Sequence, residues 1–336
     1  MATADVRPRS NVLRVIVVAL VVLALCELAV RARADALVEP QLWSSPEQEY
    51  KAKQIDALAA RGGASVVAIG SSAIDAAFDA TKLAGSAPRP AYNAGTGGSS
   101  MAMVAGWGEF EAVPRLKPDT VVLGITTREF NPNDPQQAVF TRDFLASRAY
   151  RKASGSESAL QVVERRAEDV SELFRYRTIL RQPRYLENLI GLGDAPRDSK
   201  YALVNNAGQY INFISASYKN TPYKFKATAL YKWELGAEEQ ATLTKLLRYL
   251  TTHVKHVLVV SMPITPVYVG WSPGGQADID AVNALVRRQV DAAGAQFLDA
   301  GIWPTEFFAD AGHVNGAGSA RFMETINAEL QRLGWR

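Results

Sequence analysis

The sequence predicts an α/β protein with a parallel sheet of about five strands and helices on both faces of the sheet. The predicted strands are nearly continuous apolar runs, as expected for strands that are covered on both faces. Segments with helical patterns separate them, an alternation typical of parallel sheets. The chain has 336 residues, of which 48% are hydrophobic and 21% charged, an ordinary globular composition that excludes a wholly disordered or fibrous protein.

The predicted strands and helices alternate along the chain from residue 46 onward. The strands are short, mostly apolar runs at 65–70, 90–95, 120–125, 257–262 and 296–300. Apolar residues at helical spacing predict a helix at 46–61 before the first strand, helices at 99–110, 237–253 and 277–293 before the third, fourth and fifth strands, and a last helix at 317–333. In parallel sheets the loops at the carboxyl ends of the strands hold functional groups, so we look for the site there.

Between residues 131 and 236 the alternation of strands and helices stops. This stretch begins with a turn-rich Asn-Pro-Asn-Asp-Pro sequence and continues with helical patterns at 159–174 and 179–190. An aromatic and basic segment follows, from Tyr201 to Trp233. We predict an insertion at 131–236 that forms a cap or a partner surface. Its aromatic side chains would pack inside the cap, stack on sugar rings or face a membrane.

The N-terminus has the pattern of an export signal. An apolar run at 15–26 extends past Glu27 to residue 30, and it follows three arginines: Arg7, Arg9 and Arg14. Basic flanks stay cytoplasmic while an apolar segment of this kind partitions into the bilayer. A buried helix of a cytosolic protein is the alternative, but the terminal position and the basic flank favour export.

Two fates of this segment remain open. Residues 1–36 are either a retained signal-anchor helix or a signal peptide that is removed at the Ala-Asp-Ala sequence of 34–36. In both cases we predict that 37–336 forms one α/β domain on the extracytoplasmic side, which is periplasmic or faces the cell envelope. The protein is secreted if the signal is cleaved.

Composition and charge exclude several functional classes. Lys and Arg number 37 against 34 Asp and Glu, a net charge of +3 without a basic stripe, which argues against nucleic-acid binding. The single cysteine, Cys26, excludes an internal disulfide and a cysteine-based zinc site. His253 and His256 lie near the end of a predicted helix, where the helix dipole favours histidine, so we predict no metal site. The glycine-rich 95–100 lacks the lysine of a P-loop, and no cofactor is predicted.

Ser72, Asp310 and His313 are the strongest catalytic candidates. Ser71 and Ser72 directly follow the first predicted strand, where a serine hydroxyl projects from the carboxyl edge of the sheet. Serine in this position is also common as a helix cap or turn residue. Asp310 and His313 stand three residues apart before the last predicted helix. A serine hydroxyl becomes a good nucleophile when a base takes its proton, and the base acts best when a carboxylate orients it. Asp75, by contrast, has the pattern of a helix-start residue.

Four short segments resemble, in order, the four motif blocks of the SGNH/GDSL hydrolase superfamily. They are Ile-Gly-Ser-Ser at 69–72, Tyr-Asn-Ala-Gly-Thr-Gly-Gly at 92–98, Gly-Ile-Thr-Thr at 124–127 and Asp-Ala-Gly-His at 310–313. The chain looks like divergent, membrane-anchored bacterial members of the superfamily, and the resemblance leaves the insertion uncovered. It implies a flavodoxin-like three-layer α/β/α sandwich, with Ser72 as nucleophile, His313 as base and Asp310 as the residue that orients the base.

The resemblance also implies an oxyanion hole, with one departure from the family pattern. The family uses the N–H of the nucleophile, a glycine N–H of the second block and an asparagine side chain of the third. Gly95 matches the glycine, with Gly98 as a competing candidate, whereas Thr126 stands where the family has asparagine. Loss of one such donor costs on the order of 10²–10³ in rate, so Arg128 or Asn131 nearby is a candidate replacement.

Together these features predict an extracytoplasmic SGNH-type serine esterase or O-acyltransferase that acts on an acylated carbohydrate or lipid of the cell envelope. It would form an acyl-Ser72 intermediate, contact the membrane through the N-terminal helix and bind no nucleic acid. A membrane-bound acyl-donor protein is a candidate partner. The alternative is a non-catalytic or accessory protein of the same fold, which the departure at Thr126 and the unassigned insertion favour.

Overall fold

The computed structural model describes residues 9–85, 89–191 and 203–335. Arg7 of the predicted export signal and Tyr201 of the predicted aromatic segment lie outside these residues. The chain divides into two compact units. One comprises Met1–Gln41 with Ser156–Ser199, and the other comprises Leu42–Gly155 with Lys200–Arg336. The predicted insertion at 131–236 therefore contributes to both units.

The unit that contains the candidate site is built on one parallel five-stranded sheet. Its strands are β1 (Val66–Gly70), β2 (Ala91–Asn93), β3 (Thr120–Ile125), β4 (His256–Ser261) and β5 (Gln296–Asp299). They lie in the order β2-β1-β3-β4-β5, and every neighbouring pair is parallel. This is the strand order of flavodoxin-like folds, and it confirms the predicted fold class.

Helices lie before, between and after the strands. In chain order they are α1 (Arg9–Ala32), α2 (Pro46–Ala59), α3 (Ser72–Ala77), α4 (Met101–Trp107), α5 (Val113–Leu116), α6 (Pro135–Ala146), α7 (Arg148–Ser154), α8 (Ala159–Val170), α9 (Glu172–Arg175), α10 (Arg177–Leu180), α11 (Pro183–Leu189), α12 (Pro222–Ala227), α13 (Ala237–His253), α14 (Pro266–Trp271), α15 (Gln276–Ala293) and α16 (Gly316–Arg332).

The core has one layer on each face of the sheet. Successive side chains of a strand point to opposite faces, so neighbouring residues of β3 enter different layers. Val121 packs with side chains of α2, α4, α13 and α15. Val122 packs on the other face with side chains of α3 and α16. Because both faces are buried, apolar residues fill consecutive strand positions, which explains the continuous runs in the sequence.

The predicted strands agree with the observed ones to within two residues at each end. The second strand is shorter than the predicted 90–95, because the Asn93 side chain accepts a hydrogen bond from the Gly95 N–H and the chain turns there. The predicted helix at 99–110 does not end where expected. Its helical path continues through a π-helical turn and α5 to Leu116.

Two helices predicted in the insertion are each broken into two. The pattern at 159–174 forms α8 and α9, which meet at Ser171, whose Oγ accepts a hydrogen bond from the Phe174 N–H and starts a new helix. The pattern at 179–190 forms parts of α10 and α11. Proline has no N–H to donate to the preceding turn, so the second of these helices begins at Pro183.

In the unit that contains the N-terminus, α1 packs against α9. Glu27 of α1 accepts hydrogen bonds from Ser171 Oγ and from two backbone N–H groups of the first turn of α9, and Arg31 donates to Glu27 at 2.7 Å. Within the described residues, Asn11–Ala32 is the one helical segment long and apolar enough to cross a membrane, with a mean hydropathy of 2.7. A signal sequence has the same property.

Candidate active site

Ser72 lies at the carboxyl end of β1, an inner strand of the sheet. The strand ends at Gly70, and α3 begins at Ser72. Gly70 has a φ of +144°, and a Cβ at this position would lie 2.3 Å from the carbonyl oxygen of Gly124 on β3. Only glycine fits this turn. The turn leaves Ser72 half-buried at the edge where candidate groups were predicted to collect.

A hydrogen-bonded chain joins Ser72 to two residues near the other end of the sequence. Ser72 Oγ lies 2.8 Å from His313 Nε2, although 241 positions separate the two residues. On the opposite side of the imidazole, His313 Nδ1 lies 2.8 Å from Asp310 Oδ1 and 3.0 Å from Oδ2. A proton on Nδ1 leaves Nε2 with the lone pair that can take the serine proton. The structure therefore brings these three predicted residues together.

The loop that carries Asp310 and His313 is a closed turn. Asp310 Oδ1 accepts hydrogen bonds from the backbone N–H groups of Gly312 and His313, at 3.0 Å each, and the Ala309 N–H donates to the His313 carbonyl. Burial acts to raise the pKa of Asp310. Hydrogen bonds from His313 and Gly312, with the charge of Lys224, outweigh burial and lower this pKa, so the carboxylate is ionised.

Phe213, which the sequence analysis did not single out, stacks on the His313 ring. The ring centroids are 4.6 Å apart and the planes are inclined by 15°. Phe213 belongs to the predicted aromatic segment, and a backbone hydrogen bond of 2.8 Å from Lys219 to Ala309 joins this segment to the loop that carries Asp310 and His313. The aromatic density of the segment was the available signal, but it does not indicate which ring reaches the site.

The two glycines considered for the oxyanion hole lie in different surroundings. The Gly95 N–H donates to Asn93 Oδ1 at 2.9 Å, and its carbonyl accepts a hydrogen bond from Lys51. Gly98 lines a cavity beside Ser72, and its N–H has no hydrogen-bond partner within the described ranges. Gly98 therefore offers an open donor at the site, whereas the N–H of Gly95 is already engaged.

Thr126 is engaged in a cap at the end of β3 with Glu129. The Thr126 N–H and hydroxyl donate to Glu129 Oε2 at 2.5 and 2.7 Å. A hydroxyl has one hydrogen, so the Thr126 donor is directed at Glu129. Glu129, which was not predicted as a site residue, is 1% exposed and lines the cavity beside Ser72. The Thr-x-x-Glu spacing is a capping-box signature and was the available signal.

Of the two replacements considered for the third oxyanion donor, one lies at the site. Arg128 lines the cavity beside Ser72, although its guanidinium is engaged by Asp134 at 2.7 Å and by Gln136 at 2.9 Å. The Asn131 side chain donates to two backbone carbonyls of the segment after α12, at 3.0 Å each. Asn131 thus holds two loops together and its amide is not free for substrate.

Two cavities share Ser72 and His313 in their walls. The smaller, of about 30 Å³, has room for one water-sized group and is also lined by Thr126 and Glu129. The larger, of about 200 Å³, is lined by aromatic and charged side chains, among them Glu47, Arg128, Phe140, Tyr210, Phe213 and Lys224. A carbonyl oxygen fits the first space, and a larger polar group fits the second.

A buried ion pair supports the backbone behind Ser72. Lys51 Nζ lies 2.5 Å from Asp75 Oδ1, and the two side chains are 0% and 1% exposed. Asp75 Oδ1 also accepts a hydrogen bond from the Tyr210 N–H at 3.1 Å, while Lys51 donates to the Gly95 carbonyl. Asp75 does lie in the first turn of α3, as its pattern indicated, but its pairing with Lys51 was not predicted.

The two histidines outside the site, His253 and His256, contact different residues. His253 Nδ1 lies 2.8 Å from the Tyr249 carbonyl, and His256 stacks on Trp335. In the described part of the chain, no group of three or more His, Cys, Asp and Glu side chains is arranged to hold a metal ion.

Comparison with solved structures finds esterases at low identity. A carbohydrate acetylesterase family member from Sinorhizobium meliloti is 12% identical with a TM-score of 0.31, over 80% of this chain and 98% of that one. An acetyl xylan esterase from the rumen bacterium Butyrivibrio proteoclasticus is 9% identical with a TM-score of 0.34, over 81% of this chain and 65%, just under two thirds, of that one. No protein-family model matches the sequence, and no curated protein is significantly similar to it. Similarity at this level does not assign a reaction to this chain.

Proposed function

We propose that this protein is a serine esterase or O-acyltransferase that works through an acyl-Ser72 intermediate. The observation that carries the proposal is the hydrogen-bonded chain from Ser72 Oγ through His313 to Asp310, at 2.8 Å for each link. Serine alone is a weak nucleophile, and an oriented imidazole at this distance is the arrangement that activates it. The chain lies at the carboxyl edge of a parallel sheet, beside a cavity that can hold an acyl group.

In the first half of the reaction, Ser72 Oγ attacks the carbonyl carbon of the substrate ester. His313 Nε2 takes the hydroxyl proton, and the carbonyl oxygen becomes an oxyanion. When the tetrahedral species collapses, the bond to the alcohol oxygen breaks and His313 returns the proton to the leaving alcohol. Asp310 remains ionised and holds the imidazolium in place. The product of this half is an acyl ester on Ser72.

In the second half, water or a hydroxyl group of an acceptor attacks the acyl-enzyme. His313 takes a proton from the attacking oxygen and gives it to Ser72 Oγ as the acyl–enzyme bond breaks. Water yields the acid, and an acceptor hydroxyl yields a new ester. The N–H groups of Ser72 and Gly98 are the backbone donors that we assign to the oxyanion, because Gly98 lines the cavity and its N–H is open.

The larger cavity supports an acylated carbohydrate or a lipid headgroup as the substrate. Its aromatic walls and the charged groups of Glu47 and Lys224 suit a molecule with both apolar faces and hydroxyl groups. The α1 segment supports a membrane tether, and the basic residues before its apolar run support an extracytoplasmic location for the rest of the chain. If the reaction is transfer, a membrane-bound acyl-donor protein is the partner that we propose.

The test is covalent labelling of the full-length protein in detergent with a fluorophosphonate. In this reaction Ser72 Oγ forms a bond to phosphorus and fluoride leaves, so the adduct adds a defined mass. We expect one adduct on wild type, located to Ser72 by peptide mapping, and no adduct on Ser72→Ala or His313→Ala. Protease digestion of sealed cells tests the location, because only an extracytoplasmic chain is accessible to the added protease.

Two matched variants control for non-specific effects. Ser261 also ends a strand at the carboxyl edge, but its hydroxyl donates to Asn283 at 2.8 Å, and His253 lies outside the site. Ser261→Ala and His253→Ala should label like wild type. If a folded wild-type protein forms no adduct, the enzymatic proposal is wrong and the non-catalytic alternative gains support.

A further inference from the structure

Glu129 is a buried carboxyl group at the candidate site that the mechanism above does not use. Its side chain lines the smaller cavity together with Ser72 and His313. That cavity holds about one water-sized group, and all three residues belong to its wall. The group is 1% exposed, which makes it one of the most deeply buried carboxyl groups near the nucleophile.

The two oxygens of Glu129 have different surroundings. Oε2 accepts two hydrogen bonds, from the N–H and the hydroxyl of Thr126, at 2.5 and 2.7 Å. Oε1 is buried and makes no hydrogen bond of good geometry with the described residues, although the Ser71 hydroxyl lies beside the carboxyl group and favours its charged form. If Glu129 is ionised, its buried Oε1 loses hydration and gains too little in return. If Glu129 is protonated on Oε1, no charge is buried, and the carbonyl oxygen Oε2 still accepts the two hydrogen bonds from Thr126.

We infer that Glu129 acts as a neutral acid whose Oε1–H donates a hydrogen bond to the carbonyl oxygen of the bound acyl group. The inference rests on the proposed function. Glu129 would then supply the third oxyanion donor, the role for which Thr126 stands at the expected place but is occupied. The acid keeps its proton throughout, and the hydrogen bond strengthens as negative charge develops on the substrate oxygen.

The groups around Glu129 are compatible with a neutral acid. Arg128, the neighbouring cation, is ion-paired with Asp134 at 2.7 Å. From α14, Tyr268 shares a hydrogen bond with Thr127, and burial raises the pKa of Tyr268 to about 12, so it is uncharged. Burial raises the pKa of Glu129 above the ordinary value, because its effect exceeds that of the hydrogen bonds from Ser71 and Thr126 and of the charge of Arg128.

Two charged groups on other elements lie near the site but outside the wall of the smaller cavity. Asp310 lies behind the His313 ring, where its charge is balanced by hydrogen bonds from the loop. Lys224 of α12 lies in the wall of the larger cavity. In this setting a rise in pH through the pKa of Glu129 would replace the donor with a carboxylate that repels the oxyanion. Activity then falls on the alkaline side.

The test compares Glu129→Gln and Glu129→Ala with wild type, using hydrolysis of p-nitrophenyl acetate by the full-length protein in detergent. Glutamine keeps an oxygen for the Thr126 donors and presents an NH₂ to the cavity that cannot ionise. We expect kcat within about fivefold of wild type for Gln, and a loss on the order of 10²–10³ for Ala. The Gln variant should also stay active at alkaline pH where wild type declines.

Glu111→Gln is the matched control, because burial also raises the pKa of Glu111, to about 7, but it lies in the helical layer away from Ser72. It should keep the wild-type pH profile. If Glu129→Ala is as active as wild type, or Glu129→Gln as inactive as Glu129→Ala while folded, the inference is wrong. Fluorophosphonate labelling of wild type separates failure of the Glu129 inference from failure of the proposed function, because Ser72 is labelled in the first case and no serine is labelled in the second.

Discussion

Two carboxyl groups flank the candidate nucleophile, and their surroundings differ. Asp310 accepts hydrogen bonds from the His313 ring and from two backbone N–H groups, and these lower its pKa. Glu129 accepts the hydrogen bonds of the Thr126 N–H and hydroxyl on one oxygen, and burial raises its pKa. Paired acids whose pKa values are pushed in opposite directions are typical of sites where one carboxyl stays ionised and the other stays neutral.

The difference lies in the loops that hold the two groups. The Asp310 loop turns back on itself and directs its own N–H groups at the carboxylate, so the charge is stabilised before any substrate binds. The Thr126–Glu129 turn directs its two donors at one oxygen and leaves the other bare. One loop is complete in the free protein, and the other is complete only when a substrate oxygen enters the cavity.

Of the substitutions that test this difference, Asp310→Asn is expected to lower activity the most. The Asn Oδ1 can still accept from the loop N–H groups, so the turn is kept, but the negative charge that stabilises the imidazolium is lost. We expect kcat for p-nitrophenyl acetate to fall by about 10⁴-fold, with little change in the thermal unfolding midpoint. Steady-state kinetics and circular dichroism measure the two quantities.

Asp299→Asn is the control for this substitution. Asp299 is the last residue of β5 and likewise accepts a hydrogen bond from a backbone N–H two residues later, at 2.9 Å from Gly301, but it does not line either cavity at Ser72. Its activity should equal that of wild type. A loss of activity in Asp299→Asn similar to that in Asp310→Asn would show that the turn, rather than the charge beside His313, explains the effect.

Phe213→Ala gives a smaller expected effect on the Asp310 side of the comparison. Removal of the ring that stacks on His313 at 4.6 Å frees the imidazole to move away from Ser72. Aromatic pairs contribute roughly 0.5–1.5 kcal/mol, so we expect kcat/KM to fall by about 2- to 12-fold. Phe213→Leu keeps apolar volume without the stacking. Equal activity of wild type and both variants would mean that the ring does not position His313.

Much of the fold follows from the sequence because both faces of the sheet are buried. Continuous apolar runs such as 120–125 and 257–262 therefore mark strands to within a residue or two. The helices of the insertion were harder to predict, because their breaks depend on local capping at Ser171 and on the backbone restriction at Pro183. Apolar periodicity continues across such breaks and does not reveal them.

The candidate site was partly visible in the sequence. Ser72, Asp310 and His313 were found because their residue types and motif context are specific. Lys51 and Asp75 pair across 24 positions, and Phe213 reaches His313 from the insertion, so neither contact has a local pattern. The capping-box spacing explains the hydrogen bonds of Glu129 Oε2, but the bare Oε1 depends on which side chains surround it in the fold.

Infrared difference spectroscopy of wild type against Asp310→Asn and Glu129→Gln tests the opposite charge states most directly. The comparison is made on full-length protein in detergent at neutral pH, with the carbonyl stretch of a protonated carboxyl as the signal. We expect Glu129→Gln to remove such a band and Asp310→Asn to remove a carboxylate band instead. A carboxylate band lost in Glu129→Gln, or a protonated-acid band lost in Asp310→Asn, would contradict this expectation.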